Sequence, residues 1–387
     1  MSHRGHEPLP GAPEPWVPSE LPAFRGRPPY LMSEMIAAEP ALAERLIHRL
    51  SSDESVERLV SAIREAATAG RPILTTGCGT SEHAAMGVAA LINESLNAPA
   101  GRDVRSITAL EALARPLDDG LLIAVSHEGG THITNEALRA ARAAGARTAL
   151  ITVGGGSPGA GIVELTVSTE EQDQSWCHTV GYLSPILVGV VTAARLSRAR
   201  VDALAMRALL DVADDPHAAA STASMLAGSD RLIVAGAGVD YVSARELALK
   251  VAEGARMPAM AIELETVLHG HLAAATRWTG MVLVSTAPGQ QDGLIRERRT
   301  RLLAAAKALA VPTAAILSTE VAAMVPASDT PAGRVVLPRM GRVRGAAGSL
   351  LGSAVALQLL TERLARARGV NPDTLGREDP AQSAAHS

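Results

Sequence analysis

The chain repeats itself. The stretch "RPILTTGCGTSEHAA" at residues 71–85 and the stretch "DRLIVAGAGVDYVSA" at residues 230–244 share one plan: a short apolar run, a Gly-x-Gly turn, then a helical pattern. The glycines are Gly77 and Gly79 in the first copy, Gly236 and Gly238 in the second. Further on, "GLLIAVSHEGGTHITNEALRAARAAGARTALITV" has its counterpart in "GMVLVSTAPGQQDGLIRERRTRLLAAAKALAVPTAAILS", again strand, polar turn, helix and strand. Strands alternating with helices of this length form right-handed βαβ units, hence parallel sheets covered by helices. The expected fold is α/β, with two similar domains in tandem and a boundary near Asp215.

Around this repeat the chain divides into four segments. Residues 1–34 form a proline-rich arm, since fixed backbone angles and missing donors disfavour regular structure there. The first domain covers 35–212, the second 213–370, and a tail 371–387. Two helices open the first domain, the second of them in "DESVERLVSAIREAATAG", with Asp53 placed to cap it and Gly70 to stop it. A length of 387 residues suits two cores of ordinary size.

Composition removes several classes of function. One Phe, three Tyr and three Trp leave few platforms on which bases could stack. A formal charge of -4 supplies no basic field for nucleic acid or anionic lipid. The longest apolar run, near "YLSPILVGVVTAARL", stops at Arg195, short of the roughly 20 residues that a membrane span needs. Cys78 and Cys177 are the only cysteines, too few for a disulfide framework or a thiolate zinc site. The reading is of a soluble cytoplasmic protein that needs no metal or other cofactor and whose partner is a small molecule.

Ligands of parallel sheets collect where strands end and helices begin. Backbone donors at a helix N-terminus favour anions, and glycine lets the backbone approach closely. In the first such turn Gly79, Thr80 and Ser81 stand ready, although the hydroxyls could equally serve as helix caps. A dinucleotide fingerprint would place a third glycine where Glu82 and Tyr241 stand, which argues against a dehydrogenase. The second turn, "SHEGGTHIT", offers Ser126 and Thr131 in the same manner.

These turns, together with "ARELALKVAEGARMPAMAIELETVLHGHLA", resemble the tandem sugar isomerase (SIS) domain family over roughly residues 35 to 377. The similarity is to the isomerase half of glucosamine-6-phosphate synthase and to stand-alone amino-sugar-phosphate isomerases and deaminases. The resemblance implies that Ser81, Ser126 and Thr131 hold a sugar phosphate. By spacing alone Glu246, Lys250 and Glu253 share one helical face, which could be a solvated charged face. The resemblance instead implies that Glu253 moves a proton between C1 and C2, that Lys250 stabilises the enediolate oxygen, and that His269 assists ring opening. It also implies a homodimer in which the "VLHGHLA" loop of one subunit completes the site of its neighbour.

Three departures from the family pattern matter. Glu128 occupies the place of a phosphate-binding serine, with His127 before it. Two unit charges at 4 Å in an effective dielectric near 20 repel by about 4 kcal/mol, more than a hydroxyl contact supplies. Either Glu128 turns away, or it pairs with a substrate amine or hydroxyl, or His127 and His132 offset it when protonated. In "EQDQSWCHTVGYLSP", Trp176 is a core residue or an apolar face for a sugar ring, and Cys177 has no activating partner. At the tail, Arg377 matches a Schiff-base lysine, whose chemistry arginine cannot perform, though it can clamp an anion. No glutaminase segment is recognisable, so ammonia is not expected to come from glutamine.

The expected function is aldose–ketose isomerisation of a sugar phosphate or amino-sugar phosphate, with release of ammonia at C2 left open. The alternatives are a deglycase that splits a sugar from an amino acid and a non-catalytic sugar-phosphate-binding regulator.

Overall fold

The computed structural model describes residues 25–96, 103–211, 216–286, 292–341, 343 and 345–385. Most of the expected arm and the expected boundary near Asp215 lie outside these residues. The chain folds into two compact units. Among the described residues, the first comprises those within 38–173 and 180–207, and the second those within 25–37, 174–179 and 208–385.

The first unit is built on a five-stranded parallel sheet of β1 (Ile73–Thr76), β2 (Arg105–Ser106), β3 (Leu121–Val125), β4 (Arg147–Thr152) and β5 (Leu165–Ser168), in the order β2-β1-β3-β4-β5. Every residue of β1 and β3 is buried, as expected of central parallel strands covered on both faces. Leu74, Leu122 and Leu150 pack with Leu138 and Ala141 of helix His132–Ala144. The long apolar run is helix Val180–Leu196, almost wholly buried. A side chain at its Gly189 would come within 2.9 Å of Leu91, so glycine here lets helix Thr80–Leu96 lie close.

The second unit carries β6 (Arg231–Gly236), β7 (Ala259–Glu263), β8 (Thr279–Ser285), β9 (Thr313–Leu317) and β10 (Gly333–Val336) in the order β10-β9-β8-β6-β7. All its pairs are parallel. Read from the other edge this is β7-β6-β8-β9-β10, the same path that the first sheet takes. The internal repeat is therefore a repeat of topology. The edge strands β2, β5, β7 and β10 are weakly patterned, and sequence reading assigned no strand at those positions.

Local signals hold where they were strongest. Asp53 caps helix Glu54–Thr68 by accepting from the Ser55 N–H at 2.7 Å, and Gly70 follows its end with φ of +67°. Among the described residues no helix is long and apolar enough to cross a membrane.

Candidate functional site

In each sheet the chain leaves two neighbouring strands in opposite directions, which opens a crevice at their carboxyl ends. In the first unit those strands are β1 and β3. The residues that follow them are the two turns singled out by sequence.

The β1 turn is tight because it has no side chain where it doubles back. A Cβ on Gly77 would lie 2.6 Å from the Ser81 carbonyl, and Gly79 takes φ of +57°. Thr80 and Ser81 open helix Thr80–Leu96 and are both buried. Cys78, half-buried, has its Sγ 3.5 Å from Thr134 Oγ1.

The β3 turn is held from below. Gly129 N–H donates to the Ser126 carbonyl, and Asn135 Nδ2 donates to the Gly129 carbonyl at 3.1 Å. Ser126 Oγ is 3.4 Å from Thr131 Oγ1, so these two hydroxyls meet. Thr131 is the N-cap residue of helix His132–Ala144, yet its side chain caps no backbone N–H. Its exposed hydroxyl is thus not consumed by the helix. Glu128 is half-buried on the same turn.

His127 is turned inward. Its Nε2 accepts from the Asp173 N–H at 2.9 Å, and its carbonyl accepts from Val153 N–H and Thr152 Oγ1. Burial pushes the ring down to about 4, so it is neutral near neutral pH. The expectation that a protonated His127 offsets Glu128 fails for that reason. His132 is largely exposed and lies 4.0 Å from Glu136.

In the second unit, helix Val239–Gly254 carries Glu246, Lys250 and Glu253. They do not form a solvated face, because Lys250 and Glu246 are fully buried. Lys250 Nζ donates to Glu253 Oε2 at 2.6 Å and lies 3.8 Å from Glu246 Oε1. Burial by itself lowers the basicity of Lys250, but the Glu253 carboxylate, with Cys177 and Glu246 nearby in support, outweighs it and keeps Lys250 protonated. Glu253 has a side-chain exposure of 25%, so a carboxylate at the surface is backed by a buried cation.

The Cys177 thiol is fully buried and 3.8 Å from the Lys250 carbonyl. A side chain at Gly254 would approach its sulfur to 3.0 Å, which makes Cys177 a packing residue. The Trp176 ring is half-buried and lies 4.0 Å from the Arg377 guanidinium, which stacks over it.

His269 ends helix Leu264–Leu268, just before Gly270 with φ of +105°. It pairs with Glu265 at 2.8 Å, and 72% of its side chain is exposed. Neither Lys250 nor Glu253 is bonded to it.

Sequence reasoning passed over two groups. Asp240, which opens helix Val239–Gly254, accepts from the N–H and hydroxyl of Thr286, so the second unit fills its own version of the crevice with a carboxylate. Asp373, fully buried near the tail, accepts from the N–H groups of Leu31 and Met32 at 2.8 and 2.9 Å. Asp240 lay in a motif already quoted, but the acceptor role needs the fold. Asp373 had no local signal.

Comparison with known proteins gives this geometry a setting. Residues 68–194 match the family model described as SIS domain. A glutamine–fructose-6-phosphate aminotransferase (isomerizing) of Symbiobacterium thermophilum is 29% identical over 308 residues, which cover 74% of this chain and 50% of the relative. The chain therefore spans about half the length of that relative. Among solved structures, the C-terminal domain of glucosamine-fructose-6-phosphate aminotransferase from Francisella tularensis superposes with a TM-score of 0.76 at 19% identity, covering 91% of this chain and 99% of that one. Tagatose-6-phosphate ketose/aldose isomerase from Escherichia coli superposes with a TM-score of 0.70 at 16% identity, covering 92% and 98%. At these identities the superpositions speak for a shared fold.

Proposed function

For a chain that carries a SIS domain and repeats its topology, we propose aldose–ketose isomerisation of a sugar phosphate or amino-sugar phosphate. The observation that carries this reading is the buried Lys250 ammonium beside the part-exposed Glu253 carboxylate. Isomerisation needs a base that lifts a proton from one carbon and returns it to the next, and a fixed positive charge for the oxygen that becomes negative between the two events. Glu253 is the base, and Lys250 is the charge. Because Lys250 is already held in place, it needs no reorganisation when the enediolate forms.

In the first unit Thr80, Ser81, Ser126 and Thr131, with the backbone at Gly79, offer hydroxyl and N–H donors for the phosphate of a sugar phosphate. Arg377, stacked on Trp176, clamps a further oxygen of the ligand. His269 opens the sugar ring. Its exposure suits a histidine delivered to a neighbouring subunit, so the working form is a homodimer. The two cysteines are unbridged, which fits a reducing cytoplasm.

One observation favours a second reading. Glu128 stands on the turn that would receive the phosphate, and a carboxylate there attracts an ammonium. A sugar carrying an amine, or a sugar–amino acid conjugate that the protein splits, is the substrate in that case.

The test is exchange of substrate protons with deuterated water, followed by NMR, for fructose 6-phosphate, glucosamine 6-phosphate and their unphosphorylated counterparts. Exchange at C1 or C2 of at least one of them is expected. No exchange with any phosphosugar, together with exchange or cleavage of an amine-bearing sugar, would transfer the protein to the second reading.

A further inference from the structure

The geometry points to Glu265 as the residue that positions His269, and to Nδ1 as the ring nitrogen that meets the sugar. This inference rests on the isomerase reading and deepens it.

A carboxylate has lone pairs and no proton to give. The contact of 2.8 Å between His269 Nε2 and Glu265 Oε1 therefore requires the proton to sit on Nε2. The lone pair left on the neutral ring is on Nδ1. Spacing of four residues on a short helix would by itself make this a surface pair of small worth. The other oxygen of Glu265 makes the difference. Oε2 lies 2.6 Å from Arg298 Nε, on a separate helix, Asp292–Ala308. The carboxylate is held from both sides, so orienting His269 costs it little further freedom.

The platform beneath is equally constrained. Glu263 caps helix Leu264–Leu268 by accepting from the N–H groups of Glu265 and Thr266, and Leu264 and Val267 are buried in the core of the unit. Gly270 then turns the chain with a backbone angle that other residues rarely adopt. His269 is thus presented on a rigid turn, with Nε2 occupied and 72% of its side chain exposed.

Ring opening of a furanose ketose follows from this. Nδ1 takes the proton of the anomeric hydroxyl while the C2–O5 bond breaks with its electron pair on O5, and C2 becomes a carbonyl. The same proton then passes from Nδ1 to O5, so His269 ends as it began. Glu265 touches no reacting atom and is a positioning residue.

The experiment compares two ketose phosphates. Fructose 6-phosphate is cyclic and must be opened, whereas erythrulose 4-phosphate lacks the oxygen needed to close a furanose. Glu265→Ala should lower solvent deuterium exchange of saturating fructose 6-phosphate by about tenfold or more, while changing erythrulose 4-phosphate by less than about twofold. Glu265→Gln, which keeps an acceptor for Nε2–H, should restore part of the loss. Equal loss on both substrates, or loss on neither, would overturn the positioning role. A second measurement does not depend on turnover: 15N NMR of histidine-labelled protein should show His269 with its proton on Nε2 in the parent and a tautomer mixture in Glu265→Ala. A proton on Nδ1 in the parent overturns the inference even if isomerisation is observed. Absence of exchange with both ketoses in the parent, beside the expected tautomer, would reject the isomerase reading and with it the ring-opening role.

Discussion

Lys250 and Glu253 lie less than one helical turn apart, with Nζ and Oε2 separated by 2.6 Å, and the cation is the buried member of the pair. This inverts the usual order, in which long basic side chains reach for water. A buried cation is tolerated only when paired, and Lys250 has two carboxylates within reach, Glu253 at 2.6 Å and the buried Glu246 at 3.8 Å.

Glu253→Gln should abolish substrate proton exchange while leaving ligand affinity within a few-fold. The amide retains the shape and an acceptor for Lys250 but cannot carry a proton between carbons. Exchange at the parent rate would remove Glu253 from the mechanism, and calorimetric titration on the same sample reports whether the ligand still binds.

Lys250→Ala should cost about 3 to 5 kcal/mol of stability in urea titration, since it leaves Glu246 buried without its cation. Lys250→Ala combined with Glu246→Gln should cost less than the single change. A loss under about 1 kcal/mol for the single variant would mean that the buried charge is not compensated by this lysine.

Glu128→Ser should tighten phosphosugar binding by tenfold or more, where each decade is about 1.4 kcal/mol. An amine-bearing sugar should bind more weakly to the same variant. Unchanged affinity for both ligands would show that Glu128 faces away from the crevice.

Stability should depend on His127 between about pH 4 and 6.5. In the unfolded chain the ring binds its proton below about 6.5, but in the fold burial delays this to about 4. The contribution is therefore complete above about 6.5 and falls as the pH drops toward 4, by up to about 3 kcal/mol at roughly 1.4 kcal/mol per pH unit. His127→Gln, which keeps an acceptor for the Asp173 N–H, should flatten the slope in chemical denaturation series across this range. A variant with the parent's slope would place the acid sensitivity elsewhere.

Asp373→Ala should destabilise the protein by about 1 to 2 kcal/mol, because two N–H groups at the start of helix Leu31–Leu50 lose their acceptor. Asp373→Asn should recover part of it. Equal stability of all three proteins in urea would show that water replaces the cap.

Much of this protein was determined along the chain itself. Gly77, Gly79, Gly236 and Gly238 announce two equivalent strand-to-helix turns, and alternation of apolar runs with amphipathic helices dictates parallel sheets, because these are rules about neighbours in sequence. Asp53 and Gly70 bound a helix for the same local reason. The register that places Lys250 and Glu253 on one face is equally a property of helical spacing. Spacing could not say whether that face met water or the core. Only the packing around helix Val239–Gly254 decided it, by burying Lys250 and Glu246 and leaving Glu253 partly exposed. His127 shows the same division: its motif suggested a ligand residue, and the Asp173 N–H turned it into a buried acceptor. The ion pair of Glu265 with Arg298 and the hydrogen bond from the Leu31 N–H to Asp373 join residues far apart in the chain, and polar pairing at that distance leaves no mark on local sequence. Burial and long-range pairing are set by which surfaces meet, and that is a property of the folded chain alone.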